Sequence, residues 1–294
     1  MGLWKNIVMA RETMKILRTK SYCLNGKVVS LPHVDLEEAI ECGGCELISE
    51  ACGMMPTTNS GSAIIEVSQL DSFEAAKSMS NPLVLNFANA HYPGGGFKLG
   101  ASSQEESLCR RSSLYLSLSS RAAAKMYRCN NSHFNPLESN WMILSPSVCV
   151  FRDSNGKLLT DPYLVAVISV PAPNRRGLGL FASRRRVREG LMERIKIMLT
   201  EAYRHQYREI VLGAWGCGAF GNSPDMVAEC FRLQLIDSGF ISYFDKVVFA
   251  IKEKKEDATL RCLEKFLTAE HSDAMSPVDY SYDEFGGRLQ GQQL

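Results

Sequence analysis

The chain has 294 residues, of which 45% are hydrophobic and 22% charged, and its net charge is +1. That is the composition of a globular chain with apolar material for a full core, arranged as one large domain or two small ones. It excludes a global basic field demanding nucleic acid, an acidic tail, and a run of apolar residues long enough to span a membrane.

The N-terminal "MGLWKNIVMARETMKIL" is too charged and amphipathic for a secretory signal, and Asn6 replaces the Ser or Thr of a myristoylation motif. Apolar residues Ile7, Met9, Met14, Ile16 and Leu17 predict a helix over 5–18. Asn25-Gly26 between two short apolar pieces signals a hairpin. "LEEAIECGGCELIS" reads as helical up to its glycines, and "SAIIEV" (62–67) as a short strand. Five β-branched-rich runs follow, at 82–88, 141–151, 163–170, 208–215 and 244–251. Runs this nearly unbroken suit strands buried on both faces. Between them lie helical periods. Leu108, Tyr115, Leu118, Ala122 and Met126 share one face, as do Leu191, Ile195, Met198, Leu199 and Ala202. Ser223-Pro224 opens a further helix that ends at Gly239, and 257–270 is expected to close the core as a helix. Alternating strands and helices predict an α/β sandwich with a largely parallel central sheet, and the polar 272–294 a flexible tail.

The ten cysteines are expected as reduced thiols in a cytosolic or nuclear, not secreted, protein. Cys42, Cys45 and Cys52 with His33 could supply four zinc ligands. Their spacing is irregular, no second CxxC pairs with them, and a Gly-Gly break at a helix end explains them, so no metal is expected.

Two glycine-rich segments follow strands: Gly94-Gly95-Gly96, and "GAWGCGAFGN" (213–222). Glycine lets backbone N–H groups approach a phosphate, and two such loops at strand ends suggest a diphosphate or nucleotide cradle. Neither carries the Lys-Ser/Thr of a P-loop, and no GxGxxG marks a dinucleotide oxidoreductase. Ser103-Gln104-Glu105-Glu106 fits a capping box, in which Glu106 bonds back to the Ser103 amide. The competing reading holds a carboxyl group over the cradle as a general acid and base.

Three glycines, seven residues, then QEE resembles the signature of the poly(ADP-ribose) glycohydrolases. "NFANAHYPGGGF", "LGAWGCGAFGN" and the N-terminal "ARETMKIL…YCLNGKVVSL" are similar to the bacterial-type branch, over roughly residues 5–270. The resemblance implies a three-layer α/β/α macrodomain-like core with a mixed, largely parallel sheet at 61–271, and a mainly helical extension at 1–60. It implies Glu106 as the catalytic acid and base and Glu105 as the residue that binds the ribose hydroxyls. It further implies Asn89, Gly94, Gly95, Gly96, Gln104, Gly216, Cys217, Gly218, Ala219 and Phe220 around the substrate, with no cofactor. The implied substrate is poly(ADP-ribose) or ADP-ribosylated protein, with ADP-ribose as product, and the chain is expected to act as a monomer away from membranes. Two alternatives share the cradle: a macrodomain that reads ADP-ribose without cleaving it, and a hydrolase of mono(ADP-ribosyl) linkages on protein or nucleic acid. Residues 169–174 border the adenine pocket or serve as a plain strand exit. The arginines of 175–188 are either a solvated helix start or a patch for a polyanion.

Overall fold

The computed structural model describes residues 2–43, 63–132, 137–178 and 183–252. The expected helix at 257–270, the tail, and Cys45, Cys52 and Cys262 lie outside the described residues.

The N-terminal helix α1 (Leu3–Thr19) leads into a hairpin of β1 (Ser21–Leu24) and β2 (Lys27–Ser30). Asn25 and Gly26 both take positive φ, 52° and 74°, as a tight two-residue hairpin turn requires. The rest is built on seven strands. These are β3 (Ile40–Cys42), β4 (Ile64–Ser68), β5 (Pro82–Phe87), β6 (Met142–Arg152), β7 (Leu158–Val170), β8 (Glu209–Leu212) and β9 (Lys246–Ala250), in the order β3-β6-β7-β5-β8-β9-β4. The pairings from β7 through β4 are parallel, whereas β6 runs antiparallel to both β7 and β3. The sheet is therefore mixed and largely parallel, as expected.

Helices cover both faces. On one lie α2 (Ser72–Ala76), α3 (Gln104–Arg111), α4 (Leu114–Leu118) and α5 (Ala124–Ser132), whose Phe73, Leu108, Leu114 and Met126 pack on Val84, Val167 and Val211. On the other, α7 (Arg184–Arg204) and α8 (Pro224–Arg232) bring Leu191, Ile195, Met198 and Phe231 onto Leu83, Leu85 and Ile168. A short α6 (Arg175–Leu178) precedes α7. Each large apolar side chain so buried contributes about 1.5–3 kcal/mol. Helix α1 is tied to the core by polar bonds, Asn6 Nδ2 to Gly100 O (3.0 Å) and Thr13 Oγ1 to Arg110 O (2.6 Å). A small third cluster of Ile16, Leu17, Tyr22, Leu36 and Phe151 completes the attachment.

Three local expectations need correction. The segment expected to be helical before Gly43 is the edge strand β3, because pairing with Met142–Leu144 outweighs a weak helical period. Gly43 there has φ 83°, and a Cβ would collide with Asn140 O. The helix expected across 104–126 is three short ones, and Ala122 is exposed. Ser112 Oγ donates to Leu108 O and accepts from Leu114 N, while Ser113 Oγ accepts from Cys149 N, so serine side chains take over the helix's bonds. The helix expected to run to Gly239 stops at Arg232 and continues as a π-helical turn, Leu233–Asp237.

Candidate active site

A cavity of about 550 Å³ opens beyond the C-terminal ends of the parallel strands. This is where an open α/β sheet binds its ligands. Its walls come from the end of β5, from the start of α3 and from the loop after β8. They include Asn89, Gln104, Glu105, Glu106, Gly216, Cys217, Gly218, Ala219 and Phe220.

The QEE segment is placed by strand β5. Gln104 acts as an extra rung on that strand: its Oε1 accepts from Phe87 N (2.9 Å) and its Nε2 donates to Leu85 O (2.8 Å) and Ser72 Oγ (3.2 Å). Gln104 thus reaches the cavity wall with its amide engaged by the protein. Glu105 is 2% exposed. Its Oε2 accepts from Asn89 N (2.8 Å) and its Oε1 from Asn86 Nδ2 (3.3 Å). Burial drives its pKa up, the Asn89 and Asn86 donors oppose that, Glu106 adds to it, and the outcome is about 8.

Glu106 does not cap its helix. Ser103 makes no side-chain cap bond, and Glu106 Oε1 instead accepts from Gly96 N at 3.1 Å. Its Oε2 is buried without a hydrogen-bond partner among the described residues. A capping box does exist, at Asp71 and Glu74 of α2. Beside it Asp71 Oδ2 lies 2.9 Å from Arg111 Nη1. Burial raises the Asp71 pKa, but Arg111 first, then the Glu74 amide and Lys252, outweigh it and hold the carboxyl below its ordinary value.

The triple glycine stands behind the carboxylates. Gly95 has φ 53°, and a Cβ there would lie 2.6 Å from Glu106 Oε1 and 3.2 Å from Glu105 Oε2. Gly94 and Gly96 complete the same turn, with Gly94 packed on Cys109 and Phe97. None of the three is on the cavity wall, so bare backbone is required here by the acids. Asn89 closes the turn at its other end, with Oδ1 accepting from His91 N and Tyr92 N, both 2.9 Å.

The second loop is folded on itself by Asn222 N to Gly216 O (3.0 Å) and Gly221 N to Gly218 O (3.2 Å). Gly216 has φ 74° with Asn222 Nδ2 and the Ala172 Cβ packed where its own Cβ would be. The N–H groups of Gly216, Gly218, Ala219 and Phe220 meet no acceptor among the described residues. Arg175 and Arg176 grip the outside of the loop through Gly221 O and Ala219 O. Cys217 Sγ is 3.9 Å from Trp215 O. His91 bonds Asn131 and faces Glu138 at 3.4 Å, pointing its ring at α5 and the following turn.

A carboxylate pair facing a loop of open amides suits hydrolysis of a phosphate-bearing glycoside. The family model for "microbial-type PARG, catalytic domain" matches residues 10–153. The poly(ADP-ribose) glycohydrolase of Thermomonospora curvata is 36% identical, with a TM-score of 0.82 over 89% of this chain and 99% of that one. The chain belongs to the microbial-type poly(ADP-ribose) glycohydrolase family.

Two further structures of such glycohydrolases carry ligands. One is the T. curvata protein bound to the inhibitor ADP-HPD (36% identity, TM-score 0.79, 89% and 98% covered). The other is the Deinococcus radiodurans protein in complex with ADP-ribose (34%, 0.74, 82% and 98%). A search of curated proteins by sequence finds no match. Of the residues that line the cavity or hold its acids, sequence reasoning missed Asn86, Asp71, Arg111, Ser72 and Lys252. Asn86 carried a usable signal, as the one polar residue in the strand "PLVLNF". Arg111 and Lys252 meet Asp71 only through the fold.

Proposed function

We propose that this chain hydrolyses the ribose–ribose O-glycosidic bonds of poly(ADP-ribose) from the free end of the polymer and releases ADP-ribose. The observation that carries the reading is Glu106: it lines the cavity with one carboxylate oxygen fixed by Gly96 N and the other buried without a partner among the described residues. A carboxyl group with one oxygen anchored has a defined direction for the proton it gives or takes.

In the proposed sequence Glu106 protonates the leaving ribose oxygen as the anomeric carbon gains oxocarbenium character. The resulting carboxylate then takes a proton from the attacking water, so one group serves as acid and base in turn. Glu105, held by two donors, receives ribose hydroxyls and fixes the bridge between riboses. The open amides of Gly216, Gly218, Ala219 and Phe220 bind the diphosphate. The half-buried Phe220 ring packs on the terminal ribose, with Asn89 on its other side. Gln104 and Gly94–Gly96 act as positioning residues, the first through β5 and the glycines through the acids. Residues 61–271 are assigned as the catalytic core and 1–60 as an extension, whose strand β3 adds an edge to the core's sheet. No described helix is long and apolar enough to cross a membrane. None of the described cysteines is in a disulfide, which supports action in a reducing compartment, the cytoplasm or nucleus, and the chain is assigned as a monomer.

The test is Glu106→Gln, assayed with labelled polymer and by ADP-ribose titration. Release of ADP-ribose is expected to fall about 10²–10⁴-fold while ADP-ribose binding stays within a few-fold. Near-wild-type turnover in the variant removes Glu106 as the acid. A wild-type chain that binds ADP-ribose yet releases none from polymer is a reader.

A further inference from the structure

Away from the cavity, at the edge of the sheet, three potential metal ligands converge. Cys42 ends strand β3, and Glu201 and His205 stand one turn apart at the C-terminal end of α7. A ligand atom of each lies within 4.8 Å of the other two. None of the three lines the cavity described above. Cys42 and Glu201 are 2% and 4% exposed, and the His205 side chain is about a third exposed, giving the cluster one open side.

We propose that Cys42, Glu201 and His205 form a binding site for one zinc-class divalent cation, with its fourth position open to solvent. The donor set, one sulfur, one carboxylate oxygen and one imidazole nitrogen, is a zinc set. The spacing fits as well. His205 Nε2 is 3.6 Å from Glu201 Oε2, and two ligands at about 2.0–2.2 Å around a tetrahedral zinc stand roughly 3.4 Å apart. Glu201 and His205 are four residues apart on one helix, so both point to the same side without backbone change. Arg204 Nη1 holds the other Glu201 oxygen at 3.2 Å, which orients the carboxylate and turns Oε2 toward the cluster. The end of a helix also favours a cation.

Burial pushes the Cys42 thiol well up, and the Glu201 carboxylate beside it pushes the same way. A zinc ion binding there displaces the thiol proton to solvent and neutralises both groups. Because β3 pairs through only three residues, the ion would tie this edge strand to α7. The sequence offered another set, His33 with Cys42, Cys45 and Cys52, which reads as a Gly-Gly break with no metal expected; Cys45 and Cys52 lie outside the described residues. The structure places Cys42 beside a helix 159 residues away, a separation read from Glu201.

The experiment uses tag-free, reduced full-length protein, stripped with chelator and reconstituted with Zn²⁺ or Co²⁺ alone. The expected result is one equivalent of zinc retained after gel filtration, and a cobalt form with tetrahedral d–d bands and a thiolate-to-cobalt charge-transfer band. Cys42→Ser should abolish the charge-transfer band, and His205→Ala should weaken zinc at least tenfold, as ligand losses do. Both variants should keep wild-type ADP-ribose binding, which shows that they fold. Failure of the reduced wild type to retain zinc overturns the proposal, and so does metal that depends on Cys42 but is indifferent to His205. In those cases the cluster is a hydrogen-bonded packing triad, or the metal sits elsewhere.

Discussion

At the residue scale, two adjacent glutamates receive different environments. Glu105 is enclosed and held by two donors, whereas Glu106 accepts from one and keeps a buried oxygen with no partner among the described residues. The Glu105 pKa of about 8 has a consequence for stability. A carboxyl whose pKa is raised on folding contributes fully below its unfolded value, about 4.3, and loses that contribution as pH climbs to about 8. The wild type is therefore expected to lose on the order of a few kcal/mol between those limits, and Glu105→Gln to lose less. Chemical denaturation of both proteins across pH 5 to 9 measures it. Parallel pH profiles would show that Glu105 titrates normally. Residue-level reading saw both acids and their candidate roles, but the capping-box pattern was a competitor that sequence could not remove. The pattern matched at Ser103, and the box formed at Asp71 instead. The difference lies in Gly96, whose N–H captures the carboxylate, and its approach is a tertiary event.

At the element scale, the glycine turn and α3 form one unit. Gly95→Ala places a methyl 2.6 Å from Glu106 Oε1 on a backbone with φ 53°, so the carboxylate has to move. The expected outcome is a loss of polymer cleavage of roughly 10²-fold, as small misplacements of a catalytic group produce. ADP-ribose binding should change much less, because the loop proposed to hold the diphosphate is on another element. A kcat within threefold of wild type would mean that the turn does not position the acid. The strands were legible as elements because central parallel strands are apolar on both faces, as Leu83, Val84 and Leu85 are. The direction of β6 was not legible, since its composition matches its parallel neighbours. The break of 104–126 into three helices escaped too. It depends on Ser113 meeting Cys149, a partner 36 residues on.

At the scale of the whole molecule, the cavity is assembled from segments more than 150 residues apart, Asp71 and Lys252 among them. A ligand that bridges them stabilises the fold by mass action, about 2.7 kcal/mol at a hundredfold excess over Kd. For a chain of this size ADP-ribose should raise Tm by about 4 °C. Glu106→Gln should retain that rise, and loss of the rise on Gly216→Ala would locate the diphosphate at the second loop. An unshifted Tm with saturating ADP-ribose would count against the cavity as its site.

The sequence by itself determined the alternation of strands and helices, the two glycine loops, the paired acids, and through their motifs the family. These are local patterns, set by periodicity and by residues with special backbone freedom. Only the tertiary structure decided which oxygen of Glu106 is anchored, which glycines serve the acids and which wall the cavity, and that Cys42 faces Glu201 and His205. Each of these is a meeting of groups distant in the chain. Packing fixes such meetings, and no local propensity encodes them.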